Sequence, residues 1–341
     1  MADKEMTVAH ADCREILPGL HQLKVPIPNN PLGYVLPYLI EDEKGYVMFD
    51  SGWNAPEAYG ALMSQLMSLG VSLKELKKVI YTHVHPDHYG LAGRLKADCD
   101  AEMVLGAPER GFIESRYGHP GQLLDRMAEF LRKNGVPQGT EPALSQASMN
   151  VRQFVSIAQP DSVLEGGETL IIGRYEFEVI WTPGHSPGHM CFYDRRRRIV
   201  LTGDHVLPTI SPNISYHPEQ SPNPLGQYLE SLRRVKDLEV DDVLPAHEYE
   251  FKDLKGRVEQ LESHHAERLE EMMRGMGDRA CSAYEVAGMT TWVTGKFENF
   301  TPWMQRAAIG ETLSHLEYAV SREMLRREEA NGVNRYRASL N

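Results

Sequence analysis

The hexapeptide His83-Val84-His85-Pro86-Asp87-His88 constrains this chain more than any other feature. Three histidines and an aspartate fall within six residues, directly after the short apolar run Val79-Ile80-Tyr81-Thr82. Successive side chains of an extended backbone alternate in direction, so His83 and His85 point the same way. Asp87 and His88 fall where the loop turns into a helix and point elsewhere. One short loop can then feed two metal positions. Imidazole and carboxylate together suit zinc, iron or manganese. A single histidine here would read as structural; three with an aspartate at this spacing read as ligands.

Further candidates follow other short apolar runs, each flanked by glycine or proline. His185 lies in Thr182-Pro183-Gly184-His185-Ser186-Pro187-Gly188-His189, Asp204 in Thr202-Gly203-Asp204, and His247 in Pro245-Ala246-His247. Such flanks suit tight loops that aim a side chain. Side chains converging from separate strand ends on one rim describe a buried active site. His189 and His205 neighbour these positions and either support them or simply pack. His119, His217, His264, His265 and His315 show no partner in the sequence.

The rest of the pattern is mixed α/β. Residues 34–40 and 46–49 read as a hairpin, 56–69 as an amphipathic helix ending at Gly70, and 169–172, 175–181, 189–193, 199–202 and 242–244 as strands. Residues 224–237 read as a helix. Four consecutive arginines, 195–198, read as an exposed hairpin turn, because nothing nearby extends the charge. Residues 108–158 form a helical insertion with two readings, extra core or a cap that shapes substrate choice. After residue 250 the chain turns mainly helical: a capping box at Ser282 and Glu285, an amphipathic helix over 307–327, and a hairpin turn at Asn331-Gly332. This order suggests a winged-helix-like module. The expected division is a catalytic domain over 1–250 and a small helical domain over 251–341.

Charge narrows the partners. The 36 lysines and arginines against 48 aspartates and glutamates leave a net −12, which repels phosphate backbones and argues against nucleic acid. The segment after residue 250 is close to neutral, so packing or homodimerisation suits it better than reading DNA. The four cysteines are scattered and form no CxxC pair, which reads as reduced thiols in a cytoplasmic protein. There is no secretory h-region and no run long enough to span a membrane.

Taken together, Asp50 in Phe49-Asp50-Ser51-Gly52, the His83 to His88 hexapeptide, His185, Asp204 and His247 resemble the five motifs of the metallo-β-lactamase superfamily, in order and over roughly residues 20–250. The resemblance implies a four-layer αββα sandwich. It implies a first metal on His83, His85 and His185, a second on Asp87, His88 and His247, Asp204 bridging both, and Asp50 orienting ligands. Two ions, zinc by expectation with iron or manganese as alternatives, would share a water acidified from about 15.7 toward about 7. That hydroxide would attack a small acyl substrate. Asp87 and Asp204 are then catalytic as well as ligating. Tyr216, in the loop after Asp204 with Asn213 and His217, either donates a hydrogen bond to a substrate oxygen or is an ordinary loop tyrosine. True β-lactamases of the family usually lack the bridging aspartate, so Asp204 points toward thioesterases similar to glyoxalase II, lactonases or nucleases. A thioester is the expected substrate, a lactone or other ester the alternative. The tail resembles that of a subgroup that cleaves RNA, which keeps an endoribonuclease or phosphodiesterase as a reading of a different class.

Overall fold

A computed structural model describes residues 13–147, 149–218 and 221–339. The chain opens with β1 (Arg14–Leu17) and β2 (Leu20–Gln22), then a small ribbon of β3 (Val25–Pro26) and β4 (Tyr34–Val35). Strands β5 (Tyr38–Asp42), β6 (Gly45–Phe49), β7 (Leu76–Tyr81), β8 (Glu102–Gly106) and β9 (Ser162–Leu164) complete a first sheet with the order β1-β2-β5-β6-β7-β8-β9. Pairing is antiparallel up to β6 and parallel from β6 to β9. A second sheet holds β10 (Thr169–Ile172), β11 (Tyr175–Trp181), β12 (Met190–Asp194), β13 (Ile199–Gly203) and β14 (Asp242–Pro245) in sequence order.

The sheets pack face to face. Phe49, Ile80 and Val104 of the first meet Phe177, Val179, Phe192, Leu201 and Leu244 of the second. Phe49 sits edge-on to Phe177 and Phe192, with centroids 5.7 and 4.8 Å away; such pairs add about 0.5–1.5 kcal/mol beyond burial. Alternation along β11 shows the cause: Tyr175, Phe177 and Val179 are buried while Glu176 and Glu178 are exposed. Strands β12 and β13 are apolar on both faces because helices cover their outer side.

Those outer layers make the four-layer αββα sandwich. Helices α1 (Pro56–Ser68), α2 (Pro86–Tyr89) and α3 (Ala92–Cys99) lie on the first sheet, with Leu62, Leu66, Tyr89 and Leu95 against Met48, Val79 and Tyr81. The insertion follows β8 as α4 (Ala107–Ile113), a π-helical turn over Glu114–Gly118, α5 (Pro120–Lys133) and α6 (Glu141–Ala147). Helices α7 (Pro224–Lys236) and α8 (Leu254–Met276) cover the second sheet, with Leu225, Tyr228, Leu232, Val258 and Leu261 against Cys191, Tyr193, Val200 and Val243. The distal half of α8 joins α9 (Ala283–Met289), α10 (Pro302–Ser321), β15 (Leu325–Ala330) and β16 (Val333–Ala338) around Leu269, Met272, Leu313, Leu316 and Tyr336. Residues 251–276 therefore belong to a catalytic layer and to the helical tail at once. Insertion and tail share a further cluster: Met127, Leu131, Val136 and Leu144 with Ala287, Phe297, Ala308 and Ile309.

Several elements differ from the sequence reading. The run 34–40 is two strands, because Pro37 has no N–H for a ladder and Leu36 turns its own N–H to Ala246 O, 2.7 Å away. The long C-terminal helix starts earlier, on the cap Thr301 with Pro302, and stops at Ser321. Arg327 stands in β15, where only Leu325 is buried and the ladder to β16 decides the conformation. The turn between them uses left-handed Asn331 and Gly332, as their types favour. All four cysteines are free, and no helix among the described residues is long and apolar enough to cross a membrane.

Candidate metal centre

Each candidate ligand leaves the C-terminal end of a strand, and all these ends lie on one edge of the sandwich. Asp50 follows β6, the hexapeptide β7, His185 β11, Asp204 β13 and His247 β14. His85 precedes α2, whose first residue is Pro86, so the backbone turns helical there and carries Asp87 and His88 inward on a different bearing from His83.

The ligand atoms converge in three overlapping groups: His83, His85 and His185; His83, His88 and Asp204; and Asp87, His88 and His247. Within each, the donor atoms lie within 4.8 Å of one another. Asp204 spans the first and last sets. One of its carboxylate oxygens is 3.5 Å from His185 Nε2, and the other is 3.4 Å from His88 Nε2 and 3.3 Å from His247 Nε2. Asp87 completes the last set, 3.4 Å from His247 Nε2.

The outward-facing ring nitrogens of His83, His88, His185 and His247 are engaged, which leaves their inward ones aimed at the centre. His185 Nδ1 donates to Asn213 O at 2.9 Å and His247 Nδ1 to Tyr34 O at 2.8 Å. His83 Nδ1 meets Thr82 Oγ1 at 3.0 Å, and His88 Nδ1 meets Asp50 at 2.8 Å. Asp50 also accepts from Thr82 N–H at 2.8 Å and Thr82 Oγ1–H at 2.9 Å. It thus holds both ends of the hexapeptide from a left-handed backbone, φ 59°, which aspartate tolerates better than most residues. Such outer partners fix the tautomer and ring orientation of a ligand.

Four of the inward atoms, His88 Nε2, His185 Nε2, His247 Nε2 and Asp204 Oδ1, are buried without a hydrogen-bond partner. Buried polar atoms are nearly always satisfied, so four orphans facing one point mark a place for cations. The electrostatics agree. Burial, and then the surrounding imidazoles, hold His83 well below the usual histidine range; burial with His185 and Arg116 does the same for His85. Both are neutral donors. Burial works against charge on His88 and His247, yet Asp204 and its carboxylate neighbours outweigh it, lifting His88 well up and His247 to about 10. A divalent cation would displace those protons. This donor set of five imidazoles and two carboxylates fits two first-row ions.

The sequence profile of the Metallo-beta-lactamase superfamily matches residues 30–247. The chain belongs to that superfamily. The "Probable metallo-hydrolase YqjP" of Bacillus subtilis is 26% identical over 311 residues, 89% of this chain and 92% of the relative. The "Hydroxyacylglutathione hydrolase GloC" of Haemophilus influenzae is 28% identical over 165 residues, 48% of this chain and 62% of that protein. Among solved structures, a metallo-beta-lactamase family protein of Thermus thermophilus superposes with a TM-score of 0.82 at 31% identity, covering 95% of this chain and all of that one. The protein is a metallo-hydrolase of this superfamily.

Glu109 escaped the sequence reading, and His189, left there between support and packing, takes the supporting part. Glu109, fully buried at the head of α4, accepts from Val84 N–H at 3.3 Å, Gly188 N–H at 2.7 Å and Ser186 Oγ–H. It ties the hexapeptide loop to the His185 loop. His189 Nε2 accepts from Asp204 N–H at 3.2 Å while Nδ1 donates to Thr182 Oγ1 at 2.8 Å, so it positions the shared aspartate. Gly203 leaves the room for this: a Cβ there would stand 2.7 Å from His189 Nε2. Tyr216 lies elsewhere. Its ring stacks on Phe130 at 6.0 Å, and its charged neighbours are Glu317 and Arg327 of the tail. His265 and His315 pair with each other at 3.1 Å.

Proposed function

We propose that the protein hydrolyses a small acyl compound, a thioester first and a lactone or other carboxylic ester as the alternative, at a two-cation centre. The observation that carries this reading is Asp204, whose two oxygens face separate donor sets. His83, His85 and His185 would hold one ion and Asp87, His88 and His247 the other, with Asp204 shared. Bound divalent ions supply Lewis acidity toward an acyl carbonyl and acidify water from about 15.7 toward about 7.

The protein's own part is placement. Thr82, Asp50, Asn213 and Tyr34 fix the imidazoles, so little reorganisation remains at the moment of reaction. Asp87 has the more open of the two carboxylates, its side chain 14% exposed against 10% for Asp204, and can accept a hydrogen bond from incoming water. Tyr216 is given no part in the chemistry. The thioester preference draws support from the similarity to a hydroxyacylglutathione hydrolase; the net charge of −12 weighs against an RNA substrate.

The test is a parallel hydrolysis screen of the full-length protein, with metal content measured on the same sample. The panel holds acyl-CoA and glutathione thioesters, lactones, a chromogenic β-lactam and a single-stranded RNA. Turnover of a thioester or ester is the expected result. Cleavage of RNA alone, or of the β-lactam alone, would overturn the acyl reading.

A further inference from the structure

A narrow cavity beside the metal centre is lined from three parts of the chain. The insertion gives Phe112, Arg116 and Tyr117, the loop after Asp204 gives His217, and α10 gives Arg306. It adjoins the ligand loops. Tyr117 Oη donates to Val84 O at 2.8 Å, between His83 and His85, and the ring of His217 lies 6.5 Å from that of Phe112.

The polar groups here lack counterparts. Arg116 Nη1 and Arg306 Nε are buried with no hydrogen-bond partner among the described residues. Burial, and then the charge of Arg116, pull Arg306 down to about 10. Burial, and then both arginines, keep His217 neutral. Two guanidiniums that repel each other in a cavity, each with a buried nitrogen that no hydrogen bond among the described residues satisfies, are unfavourable for the folded chain alone. Arg116 moreover stands in the π-helical turn over Glu114–Gly118, a local departure that recurs at functional sites. Arg152 does not share this condition, since it donates to Arg116 O and Tyr117 O. About 30 Å³ is open to the centre of a water-sized sphere, on the order of two waters. The space accepts a small oxyanion and excludes a bulky group.

We propose that Arg116, Arg306 and His217 form an oxyanion subsite that binds a carboxylate or phosphate of the substrate, some distance from the scissile acyl bond. The guanidinium fork suits either anion, and neutral His217 donates one more hydrogen bond. The subsite makes the substrate an anionic acyl compound. It rests on the hydrolase reading, and it gives insertion and tail a shared role in selecting the substrate.

The test reads binding without turnover, so its failure and that of the hydrolase reading are separable. Inorganic phosphate, glutarate and uncharged glutaramide are titrated calorimetrically into the full-length zinc-loaded protein at low ionic strength. Wild type is compared with Arg306→Met, Arg116→Met, Arg306→Lys and, as a control, Arg233→Met. Phosphate or glutarate should bind, the better of the two choosing between phosphate and carboxylate, and glutaramide should not. Both cavity methionine variants should weaken that binding at least tenfold at unchanged zinc content, with Arg306→Lys intermediate and Arg233→Met unaffected. If Arg306→Met does not fold, Arg306→Lys and Arg116→Met carry the comparison. Binding of neither anion by the wild type, or binding that the Arg116 and Arg306 variants leave unchanged because the anion sits on zinc, would overturn the proposal.

Discussion

At Glu109 a single buried carboxyl accepts hydrogen bonds from two loops about 100 residues apart in the chain. Glu109→Gln keeps the shape but replaces one acceptor oxygen with a donor facing donors. An unsatisfied buried donor costs about 1–3 kcal/mol, and chemical denaturation should show a loss of that order. Burial outweighs the hydrogen bonds and raises the Glu109 pKa from 4.5 to about 7. Across that window the folded protein binds more protons than the unfolded chain, so the Glu109 contribution to stability falls as pH rises and levels off above about 7. The stability of wild type minus that of Glu109→Gln should therefore decline from pH 4.5 to 7. A difference that stays flat with pH would contradict the assignment. Arg116 and Arg306 make the complementary case, charges whose partner the proposal places on the substrate.

Among the elements, the loop from β11 to β12 aims His185 and is tightly held. Gly184 has φ 137°, and a Cβ there would lie 2.4 Å from Tyr228 Cβ and 2.5 Å from its Cα. Gly184→Ala should cost more than about 1 kcal/mol and lower metal content by displacing His185. A fully metallated, equally stable variant by denaturation and metal analysis would show that the loop is not held this way. The candidate ligands were legible in the sequence because their geometry is local: alternation places His83 with His85, and glycine and proline mark the loops around His185, Asp204 and His247. The supports were not, because they are made at a distance. Glu109 lies 77 residues from Ser186, and the Nδ1 partners of His185 and His247 are backbone carbonyls, which carry no sequence signal. Strands β8 and β9 also went unread, since β8 is buried on both faces and too short to show a period. Tyr216 looked able to reach the rim by position in the loop, but its ring stacks on Phe130.

For the whole molecule, the division at residue 250 runs through shared packing. Val258 and Leu261 cover the second sheet, while Phe297, Ala308 and Ile309 seal the insertion. Removing residues 251–341 should expose those surfaces and yield insoluble or loosely packed protein rather than a smaller enzyme, as judged by soluble yield and near-ultraviolet circular dichroism. A soluble, well-packed truncation with wild-type metal content would show that the tail is independent. Insertion and tail instead pack on each other, and the charged cavity is lined by both. The central claim is that seven side chains hold two cations through a shared aspartate. It is tested most directly by the metal-to-protein ratio of the full-length protein after zinc loading and desalting, beside that of Asp204→Ala. The account predicts about two ions per chain in the wild type and one or fewer in the variant. Less than one ion in the wild type, or two retained without Asp204, would contradict it.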